Sequence, residues 1–262
     1  MRLAYVWVQM SDHPIGRERH GRHPENPMKK KSTVGCSVAE SGGVGEGRHA
    51  VTTSIGMAFV WIEALGIRVG KYAVSNGDYR KMKPDHDSGS HREYSLNDDR
   101  QPVVCVNFDD ATAFATWMNG QDEGRAGALR FRLPSEDEWM VCAQCGGERE
   151  YPWGDEWPPR SGCAGNYHGQ EGDAGLNKIS GYNDGHPVAA PVDEVWASPW
   201  GLYGVGGNVW EACAADRTGR SFGAWRGAAW DQSSQVYLCC SARGASDGSR
   251  RYSRGGFRLV LA

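Results

Sequence analysis

The sequence lacks a long apolar run and a targeting signal. No stretch of about 18 consecutive apolar residues occurs, so no transmembrane helix is predicted. The N-terminus, MRLAYVWVQMSDHPIGRERH, has neither the apolar core nor the small-residue cleavage site of a signal peptide. We therefore expect no membrane span and a cytoplasmic location by default. Display at a cell surface by an unrecognised route remains open.

The sequence also lacks an excess of either charge. Its formal net charge is −3 at pH 7, so no overall field attracts nucleic acid or an anionic membrane. The run Lys29–Lys31 is expected to be solvated. We predict no nucleic-acid partner.

Because no export signal is seen, the eight cysteines are expected to stay reduced. Cys142 and Cys145 form a single CxxC without a second CxxC or a spaced histidine pair. We interpret them as packing positions on one helix face rather than as a zinc or redox site. Cys239 and Cys240 are adjacent, which packing explains less easily.

Glycine and tryptophan are abundant instead, with 36 and 11 residues. Glycine permits tight and left-handed backbone, and tryptophan buries a large area per residue. Together they predict a fold of turns and loops that packs on indole rings. Apolar, β-branched runs predict strands over 57–62, 66–74 and 100–108.

Three short helices are predicted before residue 148. The first follows Ser75 or Asn76 as its cap. The second lies within 109–120, with Ala111, Phe114, Trp117 and Met118 on one face and Gly120 at its end. The third begins at a capping box of Ser135 and Glu138, buries Trp139, Cys142 and Ala143, and is stopped by Gly146-Gly147. After Tyr151 only short pieces are expected.

Two regions are predicted. In residues 1–55, the stretch HPIGRERHGRHPENPMKKKS is basic, rich in histidine and almost free of apolar residues, and ESGGVGEGRH is a glycine-rich linker. We therefore expect this segment to be mobile or loosely ordered. Residues 56–262 are predicted to form one domain.

A family resemblance rests on motifs in this second region. RFRLPSEDEWMVCAQCGG, YPWGDEWPP, WGLYGVGGNVWEA, RGAAW and a terminal GGFRLV follow one another as they do in the sulfatase-modifying-factor domain of formylglycine-generating enzymes. The resemblance covers about residues 57–262. It implies an α+β, C-type-lectin-like fold that is irregular and Gly/Trp-rich, with small antiparallel sheets and two or three early helices.

The resemblance also implies where catalytic copper would bind. The enzymes hold copper with two cysteines, at the second and seventh positions after the aromatic residue of an Arg-Gly-Gly-Ser-Trp segment. Counted from Trp230, these positions are Gln232 and Tyr237, which do not supply the soft thiolates that Cu(I) selects. We expect no copper and no oxidase activity.

Other members of the family remain alternatives. A formylglycine-generating oxidase, another sulfatase-modifying-factor enzyme, or a non-catalytic member of sulfatase or cell-wall metabolism stays open. A related iron group needs a histidine cluster, but no histidine follows His186. A triad of His86, Asp87 and His91 would lie in a polar loop, so iron is disfavoured.

The family carries structural calcium, and the resemblance implies two sites here. The first would use the carbonyls of Gly204, Gly207 and Val209 and the carboxylate of Glu211. The second would use the side chains of Asn166 and Asp184 and the carbonyls of Tyr167 and His186. Oxygen ligands from irregular loops suit calcium, although these residues could equally cap turns.

One branch of this fold consists of the variable proteins of diversity-generating retroelements. In these, asparagine codons near the 3′ end are rewritten, and the rewritten codons cannot encode Lys, Met, Trp, Gln or Glu. From Ser233 to Arg254 none of these residues occurs except Gln235. The resemblance therefore implies a variable region at 229–254 that binds a ligand, expected to be a protein surface, although an ordinary Ser/Gly-rich loop is the alternative.

The predicted ligand-binding residues project outward from a rigid frame. They are Ala229, Ser233, Ser234, Val236, Tyr237, Cys239, Ala242, Gly244, Ala245, Ser246, Arg250, Tyr252, Ser253 and Arg254. The predicted frame is Gln235, Leu238, Cys240, Ser241, Arg243, Asp247, Arg251 and Gly255.

Overall fold

The computed structural model describes residues 6–9, 50–123, 127–214, 223–245 and 248–262. The helices of this part of the chain are α1 (Asn76–Arg80), α2 (Phe108–Gln121), α3 (Glu136–Ala143) and α4 (Gln235–Leu238). Its strands are β1 (Val6–Gln9), β2 (Val51–Thr52), β3 (Ala58–Ile62), β4 (Ile67–Gly70), β5 (Ser90–His91), β6 (Tyr94–Ser95), β7 (Phe131–Arg132), β8 (Trp210–Cys213), β9 (Ala224–Arg226), β10 (Ala242–Ala245), β11 (Gly255–Gly256) and β12 (Val260–Leu261).

Two five-stranded sheets organise the fold. The first has the order β2-β3-β4-β12-β7 and joins the start of the domain to its C-terminus, because Val260 pairs with both Val69 and Arg132. The second has the order β1-β10-β9-β8-β11. Its strand β10 belongs to the predicted variable region, residues 229–254, which is called the C-terminal stretch below. Strands β5 and β6 form a separate hairpin. The mixture of small sheets and few helices confirms the predicted α+β class.

The C-terminal segment GGFRLVLA contributes a strand to each of the two sheets. Gly255 and Gly256 pair with β8, and Val260 and Leu261 pair with β4 and β7. A Cβ on Gly256 would lie 2.6 Å from the carbonyl oxygen of Val103. This close approach explains why glycine occupies the point where the chain leaves the second sheet.

The predicted helix starts are confirmed. Ser75 accepts a hydrogen bond from the Asp78 amide at the start of α1. Ser135 and Glu138 form both halves of a capping box at α3, and Trp139, Cys142 and Ala143 are buried. Helix α2 begins with a further capping box, formed by Asn107 and Asp110. Short polar side chains therefore determine where these helices begin.

Helix ends and one strand differ from expectation. Helix α2 continues through Gly120, because the amide of Asp122 still bonds to the carbonyl of Met118. Helix α3 ends at Ala143, before the glycine pair, and Cys145 already has a φ of 49°. Cys145 therefore lies beyond the helix face assigned to it. The run 100–108 forms no strand, although Ser75 bridges to Pro102.

The core is built on aromatic rings, as the composition predicts. Trp139, Trp210 and Trp225 are fully buried, and Phe257 packs edge-on against Phe114 with ring centroids 5.7 Å apart. Such pairs stabilise beyond the area that they bury. Trp210 and Trp225 belong to β8 and β9, so the second sheet contributes two of these rings to the core.

The predicted boundary at residue 55 falls late, because β2 and the buried Thr53 already belong to the domain. Within the segment predicted to be loosely ordered, β1 pairs in parallel with β10. Residues 1–5 and 10–49 lie outside the described part of the chain. No helix of the described residues has the length and apolar character that crossing a membrane requires.

Candidate functional site

The C-terminal stretch consists of a loop, the short helix α4, strand β10 of the second sheet and a second loop. Helix α4 begins after Ser234, which has extended backbone and forms no side-chain cap. Val236 on this helix is 48% exposed, whereas Leu238 is buried in the core. One face of α4 therefore points to solvent and the other anchors the helix.

Main-chain hydrogen bonds fix this stretch to distant parts of the chain. The carbonyl of Gln232 accepts from the His168 amide at 2.9 Å, and the Cys240 amide donates to the Glu150 carbonyl at 2.8 Å. Peptide groups make these bonds whatever the side chains are.

Two further main-chain bonds hold the second loop. The carbonyl of Tyr252 accepts from the Cys105 amide at 2.9 Å, and that of Arg254 accepts from the Trp210 amide at 2.8 Å. Both ends of the predicted variable region are thus attached to the scaffold through the backbone.

The predicted ligand-binding residues divide into three groups by exposure. The exposed ones are Ser234, Val236, Ala245 and Arg250. The half-buried ones are Ser233, Tyr237 and Ser253. The buried ones are Ala229, Cys239, Ala242, Gly244, Tyr252 and Arg254. Ser246 lies outside the described residues. The prediction that all of them project outward is wrong for the buried group.

Packing and charge explain the buried positions. The Tyr252 ring stands edge-on to Trp225, with centroids 6.0 Å apart. Arg254 forms an ion pair with Asp231, and both side chains are almost inaccessible to solvent. Ala242 lies in β10 with no exposed surface. These side chains belong to the scaffold, not to the outer surface.

A buried charge network, which the sequence analysis missed, lies under the same sheet. Glu136, at the start of α3, pairs with Arg243 of β10 and lies 3.6 Å from a nitrogen of Arg226 on β9. Arg226 also donates to the carbonyl of Cys240 at 2.8 Å. Arg243 was predicted as a frame residue, and this pairing explains why. No spacing in the sequence relates Glu136 to Arg243.

The two copper positions hold no thiol. The Gln232 side-chain oxygen accepts from the Ala229 amide at 3.1 Å, and Tyr237 is half-buried. The nearby Cys239 thiol donates to the Val236 carbonyl at 3.2 Å. Burial raises the pKa of the Cys240 thiol above its usual range. The two adjacent cysteines therefore do not offer a pair of ready thiolates.

The residues predicted for the first calcium site are not arranged to bind an ion. Both carboxylate oxygens of Glu211 accept from the Arg258 guanidinium, at 2.7 and 2.5 Å, and one also accepts from the Trp139 indole at 2.8 Å. The Gly204 carbonyl accepts from the Gly207 amide, and that of Gly207 from the Val209 amide. A buried carboxylate that an arginine already neutralises is a poor ligand for a dication.

The second predicted site fits better. The Asn166 side-chain nitrogen donates to Val188 and Asn208, while its buried oxygen has no partner within the described residues. The Asp184 carboxylate accepts from the Tyr167 and His186 amides, each at 2.9 Å. The amide oxygen of Asn166 and the carboxylate of Asp184 are oxygen donors of the kind that calcium takes.

The histidines that the structure describes are not grouped as a metal cluster. The His86 ring lies 3.2 Å from the Ser88 hydroxyl and 3.0 Å from the Val104 carbonyl, and Asp87 accepts from the Gly89 amide. Burial lowers the pKa of His86, against the effect of its bond to Val104. The described residues contain no group of three or more His, Cys, Asp or Glu side chains placed to hold a metal.

Comparison with known proteins defines the class. The family model for the sulfatase-modifying factor enzyme 1-like domain matches residues 26–262, so the chain belongs to this family. The match begins inside the segment that was predicted to lie outside the domain.

Individual relatives are similar over part of their length. A formylglycine-generating enzyme from Thermomonospora curvata is 35% identical over 156 residues, which are 59% of this chain and 44% of that protein. An inactive C-alpha-formylglycine-generating enzyme 2 from Mus musculus is 33% identical over 132 residues, which are 49% of this chain and 37% of that protein. The chain spans less than half of the length of these two relatives.

Solved structures share the fold. PvdO from Pseudomonas aeruginosa matches with a TM-score of 0.54 and 21% identity over 74% of this chain and 80% of that one. Variable protein 1 of Treponema denticola matches with a TM-score of 0.53 and 20% identity over 74% of this chain and 84% of that one. Together with the family match, they confirm the C-type-lectin-like fold of formylglycine-generating enzymes.

Proposed function

We propose that this protein is a non-catalytic ligand-binding member of the family, a variable protein that displays a diversified C-terminal surface. Its partner is a protein surface. The main-chain anchoring of the stretch carries this proposal. A surface whose side chains change needs a backbone that stays in place without them.

The structure supports a narrower surface than the sequence suggests. It consists of Ser234, Val236, Ala245 and Arg250, with Ser233, Tyr237 and Ser253 at its edges. An exposed aliphatic residue, a tyrosine and an arginine are side chains that contribute to protein interfaces. The buried residues Ala242, Tyr252 and Arg254 support this surface from below.

The enzyme alternative receives less support from the residues. Oxidation at a bound copper ion needs two convergent thiolates. The family resemblance places the two cysteines at positions that Gln232 and Tyr237 occupy in this chain. Burial raises the pKa of the Cys142 thiol to about 12 and that of the Cys240 thiol above its usual range, so neither of these two is a ready thiolate. A calcium ion bound by Asn166 and Asp184 is part of the proposal and would have a structural role.

Two matched libraries test the display function. One randomises the exposed positions Ser234, Val236, Ala245 and Arg250, and the other randomises the buried positions Ala229, Ala242, Tyr252 and Arg254. Exposed substitutions usually change stability by less than about 0.5 kcal/mol, so most members of the first library should fold with the parental melting temperature. Most members of the second should not.

Selection of the first library against a folded protein should then yield binders. If its members unfold as often as those of the second library, the exposed set is structural and the proposal is wrong.

A turnover assay tests the absence of oxidase activity. The protein is incubated with Cu(I), oxygen and a cysteine-containing sulfatase peptide, and formylglycine is measured by mass spectrometry. A formylglycine-generating enzyme serves as the positive control. We expect no product, and product formed over multiple turnovers would refute the non-catalytic assignment.

A further inference from the structure

A cavity of about 230 Å³ lies against the first sheet, away from the sheet that carries the C-terminal stretch. It is lined by Val51, Thr52, Thr53, Arg68, Asp122, Leu129, Phe131 and Leu261. Neither the family resemblance nor the proposed function uses any of these residues. Pockets for drug-sized ligands usually have volumes of about 300–1,000 Å³. This cavity is smaller, so its volume suits a small metabolite.

The walls of the cavity follow from strand register. Leu261 is directly opposite both Arg68 and Phe131, so these three side chains lie on the same face of the sheet. Leu129 is 37% exposed and forms part of the rim. The cavity therefore has an apolar wall with one arginine in it.

Asp122 supplies an opposite charge. It follows the C-terminus of α2 and is only 3% exposed. One carboxylate oxygen accepts from the Ser54 amide at 2.9 Å. The other is buried and has no hydrogen-bond partner among the residues that the structure describes.

Arg68 also has a polar atom without a hydrogen-bond partner. Its buried Nε has no hydrogen-bond partner in the described chain. The guanidinium lies 5.4 Å from the centre of the Trp61 ring. Two opposite charges thus line one cavity, yet neither Arg68 nor Asp122 belongs to an ion pair among the described residues.

We propose that this cavity binds a small zwitterion, namely an α-amino acid with an apolar side chain. After both side chains turn their partnerless atoms toward the cavity, its ammonium group donates to Asp122 and its carboxylate accepts from Arg68. Its side chain packs on Leu129, Phe131 and Leu261. A buried polar atom without a partner costs free energy, and one ligand with both charges satisfies both residues. This site is independent of the proposed display function.

Isothermal titration calorimetry with L-leucine tests the site, with two analogues that each lack one charge. Leucinamide lacks the carboxylate and isocaproate lacks the ammonium group. We expect leucine to bind in the millimolar range or tighter, and each analogue to bind at least about tenfold more weakly.

Three variants assign the contacts. Arg68→Gln should remove the preference for leucine over leucinamide, and Asp122→Asn should remove the preference for leucine over isocaproate. Asparagine keeps an acceptor for the Ser54 amide, so this change spares the local fold. Leu129→Trp should block the cavity at its rim without altering either charge.

Arg160→Gln, in an exposed ion pair with Glu156, is the matched control and should bind leucine like the parent. No heat and no saturation-transfer NMR signal with leucine would mean that the cavity holds water only, and would overturn the proposal. Equal affinity of parent, Arg68→Gln and Leu129→Trp would also overturn it.

Discussion

Single residues in the C-terminal stretch have opposite roles although their types look alike. Tyr237 is half-buried at the surface, whereas Tyr252 is buried against Trp225. Arg250 is exposed, whereas Arg254 is paired with Asp231 in the interior. Composition indicates which residue types a variable region can contain. It does not indicate which of them face solvent, since that depends on partners far away in the sequence.

This difference predicts two stability effects. Tyr252→Ala removes a ring from the core and should lower the free energy of unfolding by about 3 kcal/mol, as large-to-small core changes do. Val236→Ala shortens an exposed side chain and should change the free energy of unfolding by less than about 0.5 kcal/mol. Urea denaturation of both variants measures the difference, and equal losses would contradict the assigned burial.

Elements were predicted well where a local signal exists and poorly where none does. N-terminal caps act within a few residues, so the starts of α1 and α3 could be predicted, whereas the glycines did not mark where α2 and α3 end. The run 100–108 is apolar because it is buried, but it bonds to loops instead of to a neighbouring strand. Helix α4 is too short for its pattern to be recognised.

Helix α3 provides a pH test. Although burial raises the pKa of the Glu138 carboxyl, its bonds to Arg132 and to the Ser135 amide lower it further, and the net pKa lies below the ordinary value of 4.5. The ionised form therefore stabilises the folded state above this value. That stabilisation is lost as the pH falls through the lower folded pKa.

Glu138→Gln should cost about 1 kcal/mol at neutral pH, a modest loss because Arg132 is partly exposed. The difference between parent and variant should shrink when the pH is lowered from neutral to acid values below the folded pKa of Glu138. Urea denaturation at both pH values measures it. A difference that persists unchanged at low pH would show that the charge of Glu138 is not its cause.

At the scale of the whole molecule, the order of the motifs along the chain predicts the fold. The ion sites could be predicted only in part. The order of the motifs gave the family and its fold. The ligand sets could not be judged from the sequence alone, because no local signal around Glu211 indicates that the Arg258 guanidinium binds its carboxylate. That arginine lies 47 residues further along the chain.

Calcium binding should stabilise the whole domain through the second site. An ion that binds only the folded state adds about 2.7 kcal/mol at a hundredfold excess over Kd. Melting should therefore occur at a higher temperature in millimolar calcium than in EDTA. Asp184→Asn should abolish this shift, and the loop variant Asp155→Asn should retain it. An identical melting temperature with and without calcium would rule the site out.

The main-chain bonds from Gln232, Cys240, Tyr252 and Arg254 also bear on kinetics. Each joins peptide groups that are far apart in the sequence, and such non-local closures slow folding because chain entropy is lost before contacts form. The bonds are the same for every set of exposed side chains. Members of a diversified set would therefore share one slow folding time and one pattern of protected amides at His168, Cys240, Cys105 and Trp210, while their affinities vary widely.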